Sequence, residues 1–177
     1  MSAGASEQFI GKVGGLIGNA SVEFTRPANT TDYTAGDVVS NNATTTVLME
    51  FANLFREYNT SGYLVGARLM TDKKSITPRI RVHLFNASDA TVAADNAAHK
   101  ELYADGAKRL GYFDLPAMTT ATNSTDSDMS RAIDLSIRVP VACSTSSRSL
   151  FCLLEALDGF TPASGQKFTL KLALDQN

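Results

Sequence analysis

Two histidines, two cysteines and a pair of aspartates are the residues of this chain whose types and spacing could do chemistry. His83 and His99 are its only imidazoles, the side chains whose ordinary pKa suits proton transfer near neutrality. His83 alternates onto the polar face of the segment PRIRVHLF, and His99 falls within AADNAAHKELYADGAKR, residues 93–109. Neither has a Ser, Cys or carboxylate partner at motif spacing, so both read as ordinary surface or rim histidines. If Ser144 to Ser147 turn a hairpin, Cys143 and Cys152 face partners several residue pairs apart, which argues against a disulfide within it. With no nearby His they cannot complete a zinc tetrahedron, and free thiols are expected. Asp126 and Asp128 have the spacing of calcium ligands, but their loop lacks the glycine and terminal glutamate of an EF-hand and reads as solvated. The glycines at 11, 14, 15 and 18 satisfy neither a P-loop nor a dinucleotide turn. These residues therefore nominate no catalytic, cofactor or metal site, and the chain is not expected to be an enzyme.

Composition narrows the class further. The chain has 177 residues, 44% hydrophobic and 19% charged, which fits one soluble domain with a core of its own. A net charge of −2 and a pI near 5.6 give no electrostatic footprint for nucleic acid, which needs clustered uncompensated Lys and Arg. No apolar run reaches the length of a membrane span, and the start of the chain lacks the basic and apolar regions of a secretory signal. The protein is thus expected to contact neither nucleic acid nor membrane, and its six Asn-X-Ser/Thr sequons read as a polar surface rather than as glycosylation sites.

The elements that must position these residues are strands. Period-two alternation places Ile133, Leu135, Ile137 and Val139 of RAIDLSIRVP on one face, as in a half-buried strand. KFTLKLAL repeats the pattern with Phe168, Leu170, Leu172 and Leu174 inward, and PRIRVHLF does so with Ile80, Val82 and Leu84. SLFCLLEAL, residues 149–157, is apolar on both faces apart from Glu155, which suits a central strand covered on both sides. With candidates at 22–26, 46–58, 63–71 and 110–115, the count comes to about eight. Residues 93–109 read as one short helix capped by Asp95 and stopped near Gly106. Strands joined by long connections and one helix predict an all-β, jelly-roll-like antiparallel sandwich.

The composition shifts near Asn19, which divides a Gly-rich N-terminal arm, residues 1–20, from a β-sandwich domain, residues 21–177. An arm carrying Phe9, Ile10, Leu16 and Ile17 exposes apolar surface unless it docks on a neighbour or on its own domain. Phe51, Phe55, Tyr58 and Tyr63 could line a sugar-binding face, although the chain has no Trp and core or inter-subunit packing competes for them. In RPANTTDYTAGDVVSNN, residues 26–42, Pro27 restricts the backbone while Asn29, Asp32, Gly36 and Asp37 supply turn chemistry. Two roles fit this stretch. It is either a self-satisfied crossover between strands or a preformed contact loop anchored by Arg26 and Tyr33, in which case Tyr33→Ala weakens binding without unfolding the chain.

The phrases VEFTRPANTTDYTAGDVV, GARLMTDKKSITPRIRVHLFNAS and LFCLLEALDGFTPASGQKFTLKLAL resemble a family of phage-encoded virion proteins placed with head structural or decoration components. The resemblance spans most of residues 22–175 and leaves the arm outside. It implies a capsid decoration or cement protein made in the host cytoplasm and seated on the outer surface of the head. Its implied partners are the major capsid protein and sister copies in a homo-oligomer, a trimer before a dimer. The competing expectation is a sandwich associated with a tail or head fibre that binds host-surface glycans.

Overall fold

The computed structural model describes residues 16–120 and 128–176. The strands are β1 (Leu16–Thr25), β2 (Val38–Val39), β3 (Met49–Phe51), β4 (Ser61–Thr71), β5 (Ile80–Phe85), β6 (Arg109–Leu115), β7 (Thr119–Thr120), β8 (Ser130–Asp134), β9 (Val139–Ala142), β10 (Leu150–Ala156) and β11 (Lys167–Gln176). They form two antiparallel sheets. One runs β1-β11-β4-β8-β7, with β9 pairing β4 beside β8, and the other runs β2-β10-β5-β6, with β3 pairing β10 beside β2. Counting β2 with β3 and β8 with β9 as interrupted strands, and setting β7 aside, leaves eight positions. Their spatial order is 1-8-3-6 in one sheet and 2-7-4-5 in the other. That is the order of a jelly roll, in which the chain crosses between sheets at most connections.

Alternation explains the core. From the first sheet Phe168, Leu170, Leu172 and Leu174 of β11 point inward beside Leu64 and Leu69 of β4. From the second come Ile80, Val82 and Leu84 of β5 and Leu150, Cys152 and Leu154 of β10. Each such side chain contributes roughly 1.5–3 kcal/mol by leaving water. The other face of β10 is also buried. Phe151 and Leu153 join Val38, Leu48, Phe85, Ala90 and Ala93 in a second apolar cluster, so residues 86–108 form a cover over this sheet. A strand buried on both faces has no polar alternation to keep, which is why residues 149–157 read as apolar throughout.

Several expectations are corrected. Residues 93–102 are not helical, and the helix is a 3₁₀ segment, Tyr103–Lys108. Asn96 takes a positive φ of 59°, which an α-helix cannot continue through, and the Asp95 carboxylate bonds distant partners instead of capping. The phase of RAIDLSIRVP is reversed in its first half, while Ile137 and Val139 pack against the core as expected. Ser130 and Ala132 face inward opposite Thr71 and Leu69, while Ile133 and Leu135 face solvent. Asp134 then ends the strand by accepting bonds from the Ser136 N–H at 2.8 Å and hydroxyl at 2.7 Å. Cys143 and Cys152 are free and buried, but no hairpin joins them, because β9 and β10 lie in different sheets. Burial alone pushes the Cys152 thiol well above its ordinary pKa. β1 begins at Leu16, so residues 16–20, taken with the arm on composition, are sheet paired to β11. No helix among the described residues is long and apolar enough to cross a membrane.

Candidate functional site

Three places in the fold bring polar or apolar groups together in ways that local sequence does not explain. The first lies beneath the loop after β1. Arg26 and Tyr33 are both 2% exposed, and Asp95 meets them from the cover segment. The Tyr33 hydroxyl donates to Asp95 Oδ1 at 2.6 Å, Arg26 Nη2 donates to Oδ2 at 3.2 Å, and the Ser40 N–H donates to Oδ1 at 2.8 Å. Arg26 Nε also donates to the Tyr33 hydroxyl, and Nη1 reaches the carbonyls of Asn29 and Ala163 at 3.3 Å. Tyr33 stacks on Phe160 with ring centroids 4.7 Å apart. Burial, reinforced by the bond to Asp95, raises the phenol pKa far above its ordinary value.

This geometry makes residues 26–42 a self-satisfied crossover. Arg26 and Tyr33 are interior struts, not exposed anchors, because their polar atoms already bond within the chain. Tyr33→Ala is therefore expected to destabilise the fold, contrary to the outcome foreseen from sequence. The aromatic stripe is also divided. Phe51 and Phe55 are buried in the core, while Tyr58 and Tyr63 are exposed beneath the guanidinium groups of Arg148 and Arg138, at 5.7 and 4.5 Å.

The second place is a pair of histidines on the covered face of β5. His83 is 4% exposed, so it is neither a surface nor a rim residue. Its ring stacks on that of His99 with centroids 4.0 Å apart. His83 Nε2 lies 2.6 Å from Glu155 Oε2, the one charged group of β10. Burial lowers the His83 pKa despite the opposing pull of that carboxylate. Because a carboxylate can only accept, Nε2 is the donor in this contact, which in the neutral ring leaves the lone pair on Nδ1. Glu101 Oε1 stands 3.9 Å from His83 Nδ1, 3.6 Å from His99 Nε2 and 3.2 Å from Arg109 Nη1. The His99 side chain is 10% exposed, and neither of its ring nitrogens has a hydrogen-bond partner among the described residues. A buried polar group left so costs about 1–3 kcal/mol.

The third place is the outer face of the first sheet. Ile17, Asp175, Tyr63 and Pro140 form one row across β1, β11, β4 and β9. Gly66 and Ala173 form the low floor of an open hollow of ≈350 Å³, bordered by Asn19, Ser21, Arg68, Lys171 and Leu135. Leu135 overhangs Gly66 so closely that a Cβ there would lie 3.3 Å from its Cδ2. Leu135 is 78% exposed, Ile17 56%, Ile133 40% and Tyr63 37%. Among the described residues nothing covers this face, whereas the second sheet is roofed by residues 86–108.

No protein-family model and no curated protein matches the chain. Among solved structures it is similar to a chain of the cyanophage Pam1 capsid asymmetric unit, at 12% identity and a TM-score of 0.36, covering 100% of this chain and 94% of that one. A likeness of that size carries no functional argument.

Of the contact residues named from sequence, Ile17 stands on the open face, Leu16 is placed only by its backbone pairing with Gln176, and Phe9 and Ile10 lie outside the described residues. Asp126 of the considered calcium pair lies outside them too. Leu135 and Ile133 were assigned to the core, and the Asp134–Ser136 turn was the local signal that the strand stops there. Spacing along the chain pairs neither Glu101 nor Glu155 with His83. The lone carboxylate in an otherwise apolar β10 was the available sign that something polar faces it.

Proposed function

We propose that this chain is a bacteriophage virion structural protein of the decoration or cement type. In this role it binds the outer surface of the head through the open face of its first sheet and performs no catalysis. The observation that carries the reading is the asymmetry of the two sheets: one is roofed by its own chain, and the other exposes Ile17, Tyr63, Ile133 and Leu135 on a face that holds a hollow bordered by Leu135, with no cover among the described residues. Apolar side chains grouped in this way mark contact surfaces. The resemblance of residues 22–175 to phage virion proteins agrees with it. The contact partners are the major capsid protein and sister copies in a homotrimer, since repetition around a closed axis multiplies a modest interface. The strand that borders this face, β1, also leads back to the apolar arm at Phe9 and Ile10.

Removing the chain from phage particles and adding it back, followed by electron cryo-microscopy, tests the reading. Density returning at capsomer junctions with recovered heat resistance is the expected result. Leu135→Glu should lower occupancy roughly 5- to 30-fold, from the loss of about 1–2 kcal/mol of apolar contact, while leaving the melting temperature unchanged. Density restricted to a tail or fibre, or undiminished occupancy by the variant, would reject it.

A further inference from the structure

We propose that His83, His99 and Glu101 form a binding site for one divalent transition-metal ion of the zinc class. His83 Nδ1, His99 Nε2 and a Glu101 carboxylate oxygen lie within 4.8 Å of one another. Two of the distances, 3.6 and 3.9 Å to Glu101 Oε1, are already close to the roughly 3.3–3.4 Å between adjacent nitrogen or oxygen ligands of a tetrahedral zinc ion. Glu101 is the exposed member and has room to close toward the rings, and the two rings, stacked in the metal-free chain, would tilt apart to bring both lone pairs onto one ion.

Three independent features point to a cation. Both ring nitrogens of His99 are buried without partners, a state that a metal ion on Nε2 relieves. The tautomer of His83 is set by Glu155, whose carboxylate accepts a hydrogen bond from Nε2–H at 2.6 Å and leaves the Nδ1 lone pair of the neutral ring toward a second carboxylate. Two acceptors facing each other repel unless a cation stands between them, and a carboxylate behind a ligating imidazole is the usual outer support of such sites. Glu101 and Glu155 supply two negative charges against the one positive charge of Arg109, so the site retains net negative charge toward an incoming ion. Two imidazoles and one carboxylate suit zinc and its neighbours rather than calcium or magnesium, with the fourth position left to water. The bound ion would tie the cover segment, through His99 and Glu101, to β5 through His83.

The test is titration of the full chain, stripped with chelator, with zinc chloride by calorimetry and with cobalt chloride by visible absorption. One equivalent should bind, cobalt should show the intense bands of a four-coordinate site, and zinc a hundredfold above Kd should raise Tm by roughly 5–10 °C. His99→Ala and the exposed-site variant Glu101→Gln should each abolish binding, the latter without lowering the metal-free Tm. Glu155→Gln, at a positioning residue, should weaken it about 10- to 100-fold. Absence of binding to the wild-type chain overturns the proposal. So does retention of its affinity by either His99→Ala or Glu101→Gln, and because Glu101→Gln alters only an exposed group, that comparison stands even if His99→Ala misfolds.

Discussion

At the scale of the residue, Asp95 is the most consequential side chain in the crossover. It receives bonds from partners 62 and 69 positions away and is, among the described residues, the only counter-charge within ion-pair distance of the buried guanidinium of Arg26. Breaking a buried pair by removing one member leaves the other charge uncompensated, at a cost of about 3–5 kcal/mol. Asp95→Ala is therefore expected to lower Tm by roughly 6–20 °C, and urea unfolding would measure the loss directly. Tyr33→Phe removes one hydroxyl, the donor to Asp95 and the acceptor for Arg26 Nε, and should cost about 1–3 kcal/mol. A loss below about 1 kcal/mol for Asp95→Ala would mean that Arg26 finds water in the fold. From sequence, Asp95 reads as a helix cap because aspartate before an Ala-rich stretch is a strong local signal. Its long-range partners outcompete that local role.

At the scale of the element, β5 is tied to its neighbours by forked ion pairs. Arg79 grips Asp158 at 2.7 and 3.0 Å, and Arg81 grips Asp114 of β6 at 2.7 and 3.0 Å. The bonds from Arg79 hold the Asp158 carboxyl down to about 2, and the bond from Arg81 lowers that of Asp114. Asp105 is lowered as well, first by the Thr91 N–H and then by Lys108. In each case the folded chain binds the proton less readily than the unfolded chain. The stabilisation is thus complete above the ordinary carboxylate range near pH 4 and is lost as pH falls toward 2. Tm should begin to fall below the ordinary imidazole range near pH 6.5, because the unfolded chain protonates His83 more readily than the folded one, and fall further from about pH 4 toward pH 2 as these carboxylates protonate, with a smaller acid-range fall in Asp114→Asn. A melting temperature that does not move between pH 5 and 2 would exclude these pairs as contributors. Element assignment from alternation succeeds for β5, β10 and β11, whose inward residues are large and unbroken in phase. It inverts β8, where small Ser130 and Ala132 occupy the inner positions beside Thr71 and Leu69 and the larger Ile133 lies on the outer face.

At the scale of the whole molecule, the two ends of the described chain are neighbours. β1 pairs along its full length with β11, from Leu16 opposite Gln176 to Thr25 opposite Lys167. The first sheet therefore cannot close until almost the entire chain is present, and most of its pairings join distant segments. Refolding is expected on the millisecond-to-second scale, with deletion of residues 172–176 abolishing the cooperative transition, as stopped-flow fluorescence of the tyrosines would show. Folding in microseconds, or an intact transition in the truncated chain, would contradict this dependence on the terminal pairing.

The sequence by itself determined the class: period-two alternation, an apolar β10 and turn-rich connections specify an all-β sandwich, because each depends only on residues adjacent along the chain. Only the tertiary structure decided which polar groups meet. His83 lies on β5, Glu155 on β10, and His99 and Glu101 in the cover, and nothing in their spacing foretells a cluster. The open face is likewise a product of the crossovers, which roof one sheet with residues 86–108 and leave Leu135 and Ile17 of the other in solvent. The physical reason is one of range: a strand's faces follow from its neighbours in sequence, whereas its partners follow from loop paths that bring together residues tens of positions apart.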